Sequence, residues 1–193
     1  MALLSFNLGA TGYYNCIPDI HNKQKKNNTV ILLKTLLLMS FLLGEVSHEN
    51  CSTFYLIRHA EKIRLDKSES NPDLNEKGLI RAEGWKTYFL DKGVSKIYST
   101  NYKRTLNTVR PIANEKNIEI ILYSPSDIEY DKFVKSNVGD TALVVGHSNT
   151  IPGFVNELID NDYYKQIDDL NNSNLYIVSI CGSNVTHELI KVD

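Results

Sequence analysis

The stretch TFYLIRHAEK, Thr53 to Lys62, sets Arg58 and His59 at the end of an apolar run. Such a run reads as a strand buried on both faces of a sheet. The C-terminal ends of such strands are where open α/β sheets hold their ligands. Two further strand ends carry matching residues. KIYST is followed by Arg104 in the first turn of a predicted helix, and TALVVG ends in Gly146-His147-Ser148-Asn149. In a parallel sheet these ends face one way, so two arginines and two histidines can converge on one crevice. Two guanidiniums at one point repel unless an anion lies between them, and arginine binds phosphate through a planar fork of charge-assisted hydrogen bonds. The N-terminus of the helix carrying Arg104 adds N–H donors and dipole. The expected ligand is a phosphoryl group. A neutral imidazole at His59 can attack phosphorus, giving a phosphohistidine that water later removes. A second imidazole at His147, near its charged state, can bind the equatorial oxygens as charge shifts in the transition state. The chemistry needs no metal or other cofactor, and no Asp pair for Mg²⁺ stands at these strand ends.

The elements that must position these residues are legible in the pattern. Phe54–Ile57 is the first strand, followed by the polar loop Lys62–Pro72. In NPDLNEKGLIRAEGWKTYFLDKG, Leu79, Ala82, Trp85 and Phe89 recur at helical spacing as a core stripe, with Asn75 as N-cap and Gly93 as a C-terminal stop. Strand KIYST, helix KRTLNTVRPIANEK and strand IEIILY come next. The acidic stretch SPSDIEYDKFVKSN holds a short helix, strand TALVVG leads into the turn and helix HSNTIPGFVNELI, and SNLYIVSI and VTHELIKV form a hairpin through Cys181-Gly182-Ser183-Asn184. Strands separated by helices imply βαβ units, hence an α/β fold with a mostly parallel sheet and an antiparallel edge.

Composition is that of one ordinary globular domain. The chain has 193 residues, 42% hydrophobic, with a formal charge of −2, so it carries no electrostatic footprint for nucleic acid or an anionic membrane surface. Residues 1–50 read differently. A basic segment, HNKQKKNN, precedes an apolar core, Leu36–Gly44, and then small and polar residues, the order of a secretory signal peptide. That core is shorter than the ~20 residues a spanning helix needs. Met1–Asn28 is too long for the basic region of such a leader, so translation is expected to begin near Val30. The alternative is a buried strand or helix of a larger fold. A lipoprotein fits less well, because Glu49 and Asn50 precede Cys51 where small residues are wanted. The expected organisation is a leader or short anchor over 1–50 and one domain over 51–193. Removal of the leader with Cys16 leaves Cys51 and Cys181, either a disulfide pair or two buried thiols.

RHAEK, STNYKRTLNTVRPIA and VGHSNT resemble the signature blocks of the histidine phosphatase superfamily, the phosphoglycerate mutase-like phosphatases. NPDLNEKGLIRAE resembles the segment that opens the family's first helix. The likeness spans about Thr53 to Asn156. It implies a three-layer α/β/α sandwich, His59 as phospho-acceptor, and Arg58, Arg104 and His147 as the phosphate pocket, with Ser148 and Asn149 as substrate contacts. Glu61, inside the first block, is not assigned the role of acid. The family's first strand pairs with the antiparallel strand that ends the core, which implies that Cys51 and Cys181 meet and bond. The loop so closed would contribute roughly 4–5 kcal/mol at best.

An alkoxide leaving group needs a proton, and in many members of the family it comes from the segment that here offers Asp127, Glu129 and Asp131. These three are either acid candidates or a solvated face. The segment is too short for a glycolytic phosphoglycerate mutase. The loops Lys62–Pro72 and Ser124–Asn137 should choose the substrate, with Tyr123, Tyr130 and Phe133 available for packing, and no Lys/Arg cluster that demands a multiply phosphorylated ligand. The expected activity is hydrolysis of a small phosphomonoester by an exported, periplasmic or secreted protein, touching membrane only through an uncleaved leader. The alternatives are a phosphate-binding module with little turnover, or a cytoplasmic phosphohistidine protein phosphatase.

Overall fold

A computed structural model describes residues 50–66 and 68–192. The leader expectation and Cys16 lie outside the described residues, save Asn50. No helix among the described residues is long and apolar enough to cross a membrane.

Six strands form one mixed sheet: β1 (Ser52–Arg58), β2 (Lys96–Ser99), β3 (Ile120–Leu122), β4 (Thr141–Gly146), β5 (Asn174–Cys181) and β6 (Asn184–Lys191). Their spatial order is β3-β2-β4-β1-β5-β6. β1, β2, β3 and β4 run parallel, β5 runs antiparallel to β1, and β6 runs antiparallel to β5, as expected from the helix-separated strands and the terminal hairpin. β1 therefore sits between β4 and β5, which is why its sequence is apolar on both faces.

Alternation along the strands divides the core into two layers. On one face Phe54, Leu56, Ala142, Val144, Tyr176 and Val178 pack against α3 (Tyr130–Ser136) and α4 (Ile151–Leu158) through Phe133, Phe154 and Val155. On the other, Ile57, Ile97, Leu143, Val145 and Leu175 pack against α1 (Glu76–Phe89) and α2 (Lys103–Lys116) through Trp85, Phe89, Val109 and Ile112. The result is the three-layer α/β/α sandwich.

Asn75 caps α1, its side chain accepting from the Gly78 N–H at 2.9 Å. The stripe of α1 departs from expectation at its first member: Leu79 is 54% exposed, and Gly78 is buried instead. A Cβ on Gly78 would lie 2.0 Å from the Glu61 carbonyl oxygen. The helix needs a residue without a side chain there because the backbone after β1 runs against it. α1 ends at Phe89, and the chain then turns to Gly93, whose φ is +70°. Tyr123, Tyr130 and Phe133, expected on a substrate loop, pack inward around Phe154.

Cys51 and Cys181 form a disulfide with a Cα–Cα distance of 4.2 Å. The pairing follows from register, since Ser52 lies opposite Ile180 in the β1–β5 ladder.

Candidate active site

The site is built where β1, β2 and β4 end. Past β1, the His59 N–H still bonds the Gly146 carbonyl at 2.9 Å. Ala60 donates to Thr108 Oγ1 of α2 at 2.8 Å, and Asn172 Nδ2 donates to the His59 carbonyl at 2.8 Å. Three elements thus fix the backbone that carries His59, which is 3% exposed. Its Nδ1 lies 2.7 Å from the Ala60 carbonyl oxygen. A carbonyl can only accept, so Nδ1 carries the proton and Nε2 keeps a bare lone pair. Burial above all, with Arg58, His147 and Arg104 adding repulsion against the opposing Ala60 hydrogen bond, lowers the ring's pKa to about 3. His59 is neutral at pH 7 and able to attack.

His147 follows Gly146, where a Cβ would meet the Tyr123 hydroxyl at 2.8 Å. Its backbone N–H donates to Thr150 Oγ1 at 3.0 Å. Its ring centroid stands 5.5 Å from that of His59. Arg104 Nη2 approaches His147 Nδ1 at 3.4 Å, and Thr100 Oγ1 lies 3.0 Å from Nε2. Arginine cannot accept, so Nδ1 is the acceptor and Nε2–H donates to Thr100. Burial first, then Arg104, Arg58 and Lys62, lower this pKa to about 4. Burial and the surrounding cations hold His147 neutral, and a bound dianion would act in the opposite direction.

The two arginines differ in how much of each fork is free. Arg58 is 2% exposed. Its Nη1 donates to the carbonyls of Asp168 (2.9 Å) and Asn171 (3.0 Å), and its Nη2 pairs with Asp169 Oδ1 at 2.6 Å. Arg104 stacks over the Tyr102 ring at 4.4 Å, and Tyr102 also packs edge-on against His147. Of the donors of these two arginines, Arg58 Nε, Arg104 Nε and Arg104 Nη1 remain buried and unpartnered among the described residues. A buried donor without an acceptor costs free energy, and Arg58 lies close enough to act on Arg104 electrostatically. Unpartnered cationic N–H groups beside neutral histidine rings are suited to an anion.

Residues 54–124 match the family model of the histidine phosphatase superfamily, branch 1. The segment from β1 to β3 carries the signature of that superfamily. His147 lies beyond the matched segment, but the fold extends the likeness over it. The chain is similar to YhfR of Bacillus stearothermophilus, with 16% identity and a TM-score of 0.59 over 74% of this chain and 98% of that one. It is similar to an alpha-ribazole phosphatase of Shigella flexneri, with 12% identity and a TM-score of 0.59 over 72% and 96%. A phosphoserine phosphatase mutant of Entamoeba histolytica, in complex with phosphoserine, shares 17% identity and a TM-score of 0.53 over 70% and 94%. At such identities the likeness shows the phosphoglycerate mutase-like fold of the histidine phosphatases. No curated protein matches the sequence significantly.

The other candidates of the histidine phosphatase reading lie differently. Glu61 is held by Arg81, whose Nε lies 3.1 and 3.0 Å from its two oxygens, and by Lys77. Glu129 pairs with Lys132, and Asp127 accepts from Ser126. Among the described residues, none of Asp127, Glu129 and Asp131 bonds to Arg58, His59, Arg104 or His147. Asn149 is exposed on the turn before α4, and the Ser148 carbonyl accepts from the Ile167 N–H. No group of three or more His, Cys, Asp or Glu among the described residues is placed to hold a metal ion.

Sequence reasoning missed the supporting shell. The Asp168–Asn172 loop anchors Arg58 and His59, yet its sequence reads as an ordinary polar turn. Thr100, Thr105 and Thr108 are buried with their hydroxyls bonded, though threonine in a helix pattern reads as a surface residue. Lys62 and Arg64 lie close enough to Arg58 and Arg104 for their charges to be felt, with Arg64 and Arg58 sharing Asp169.

Proposed function

We propose that the protein is a metal-independent phosphatase that hydrolyses a small phosphomonoester through a phosphohistidine on His59. The observation that carries this reading is the free Nε2 lone pair of His59, fixed by Nδ1–H donation to Ala60 beside the unpartnered N–H groups of Arg58 and Arg104. Arg58 Nε with Arg104 Nε and Nη1 hold the phosphoryl oxygens. Nε2 attacks phosphorus, the P–N bond forms as the ester P–O bond breaks, and the alcohol leaves with a proton. Water then attacks the phosphohistidine, the P–N bond breaks, and inorganic phosphate departs with His59 neutral again. With the dianion between the arginines, His147 gains a proton and donates to an equatorial oxygen. Asp127, Glu129 and Asp131 are the candidates for protonating the leaving group, and Ser148 and Asn149 the candidates for further substrate contact. The expected setting is outside the cytoplasm, with which the Cys51–Cys181 bond is consistent.

A second reading has one observation in its favour. Glu129 is committed to Lys132, and Asp127 to its neighbouring serine. Without an acid, the same pocket serves a phosphate-binding module, or takes substrates that leave unaided, such as phosphohistidine. The deciding experiment is hydrolysis of p-nitrophenyl phosphate by the full chain in EDTA, beside His59→Ala. Turnover lost in the variant supports the first reading. Phosphate binding without turnover supports the binding module, and equal turnover in both proteins refutes His59 as nucleophile.

A further inference from the structure

Lys62 stands three residues beyond His59, and its backbone is pinned at the rim. It bridges to Leu74, the Ile63 N–H bonds the Asp73 carbonyl at 2.9 Å, and Asn75 Nδ2 donates to the Lys62 carbonyl at 3.3 Å. Asn71 and Asp73 in turn hold this segment to α2, accepting from the Lys103 N–H at 2.9 Å and Asn107 Nδ2 at 2.6 Å. The side chain of Lys62 is half-buried and makes no ion pair or hydrogen bond among the described residues. Its neighbour Arg64 is engaged by Asp169, which also holds Arg58.

The charge balance of this corner is uneven. Arg58, Arg64 and Arg104 act on Lys62 as repelling cations and Asp169 as the attracting carboxylate. The cations that act on Lys62 thus outnumber the carboxylates that do. Lys62, like Arg104, has no carboxylate partner among the described residues, and its charge also reaches His147. Burial and these cations push its pKa down, as expected for an ammonium that lacks a counter-ion.

We infer that Lys62 is a specificity-determining residue that reads a second anionic group, a carboxylate or a second phosphate, close to the phosphoryl group of the ligand. The inference rests on the phosphate pocket proposed above but not on its turnover. Lysine suits the task because a compact point charge on a flexible stem accepts either anion without a fixed fork geometry.

The test is calorimetric binding of three non-hydrolysable ligands to the full chain. Methylphosphonate carries the phosphoryl mimic alone, phosphonoacetate adds a carboxylate, and methylenediphosphonate adds a second phosphoryl group. At least one of the last two should bind tenfold or more tighter than methylphosphonate, and which one does so identifies the second anion. Lys62→Met keeps the apolar stem, and there the preference should fall below threefold. Lys62→Arg should retain most of it. Equal binding of all three ligands, no binding of any, or a preference that survives Lys62→Met in folded protein overturns the inference. Loss of p-nitrophenyl phosphate turnover with this preference intact would sink the phosphatase reading and leave the role of Lys62 standing.

Discussion

His59 Nδ1 and the Ala60 carbonyl oxygen, 2.7 Å apart, decide which nitrogen of the ring is reactive. The same residue sets an acid limit on stability. Its pKa of about 3 in the fold lies below the ~6.5 of an unfolded histidine. Between those values the unfolded chain binds more protons, so stability rises with pH there. His59 contributes fully above about pH 6.5, and its contribution is lost as pH falls toward 3, at up to about 1.4 kcal/mol per pH unit. Thermal melts from pH 7 to 4.5 should show a falling Tm in the wild type and a shallower fall in His59→Asn.

His147 should report ligand binding through protons. Its pKa of about 4 reflects burial and the neighbouring cations. An anion between Arg58 and Arg104 removes that repulsion, so the ring becomes more basic on binding. At pH 6, binding of sulfate, a dianion throughout this range, should take up a fraction of a proton, seen as a calorimetric enthalpy that varies with the ionisation enthalpy of the buffer. In His147→Asn that uptake should shrink.

Two glycines of α1 make a matched pair of opposite sign. Gly78→Ala drives a Cβ into the Glu61 backbone, whereas a Cβ at Gly84 meets nothing within 4 Å. Gly78→Ala should cost about 1–3 kcal/mol and, by shifting the segment after His59, reduce turnover. Gly84→Ala should add about 0.5–1 kcal/mol. Urea denaturation of both variants checks the pair.

The disulfide and the site lie at opposite ends of β1, roughly 20 Å apart at 3.3 Å per residue. Cys51→Ser with Cys181→Ser should therefore lower the urea midpoint, by up to about 4–5 kcal/mol of stability. It should leave kcat at 25 °C close to that of the wild type.

These contrasts bear on what the sequence makes legible. The parallel order of the strands and the convergence of His59, Arg104 and His147 follow from periodicity and from strand ends, properties local to each segment. The terminal hairpin was equally readable, since a glycine turn between two alternating runs specifies its own pairing. Leu79 and Gly78 show where the pattern fails: helical spacing marks a face, but only the approach of the Glu61 backbone says which residue can occupy it. Asp169 and Asn172 were hidden for a related reason. Each works across the chain, more than a hundred residues apart in the case of Arg58 and Asp169, and a polar loop residue carries no local sign of the partner it will meet. The acid candidates stayed open because a carboxylate's role depends on where its loop is held.

The bond between Cys51 and Cys181, 130 residues apart, gives the domain the connectivity of a ring. A protease that nicks one surface loop, Lys62–Pro72 for example, would not release a fragment, because both pieces stay tethered through the sulfurs. The cut ends also remain held by the sheet, with the piece that bears His59 bound on both sides by β4 and β5. A nicked molecule would run as two chains only after reduction. For a protein expected to work among extracellular proteases, that is protection which rests on covalent topology, whatever the strength of the core.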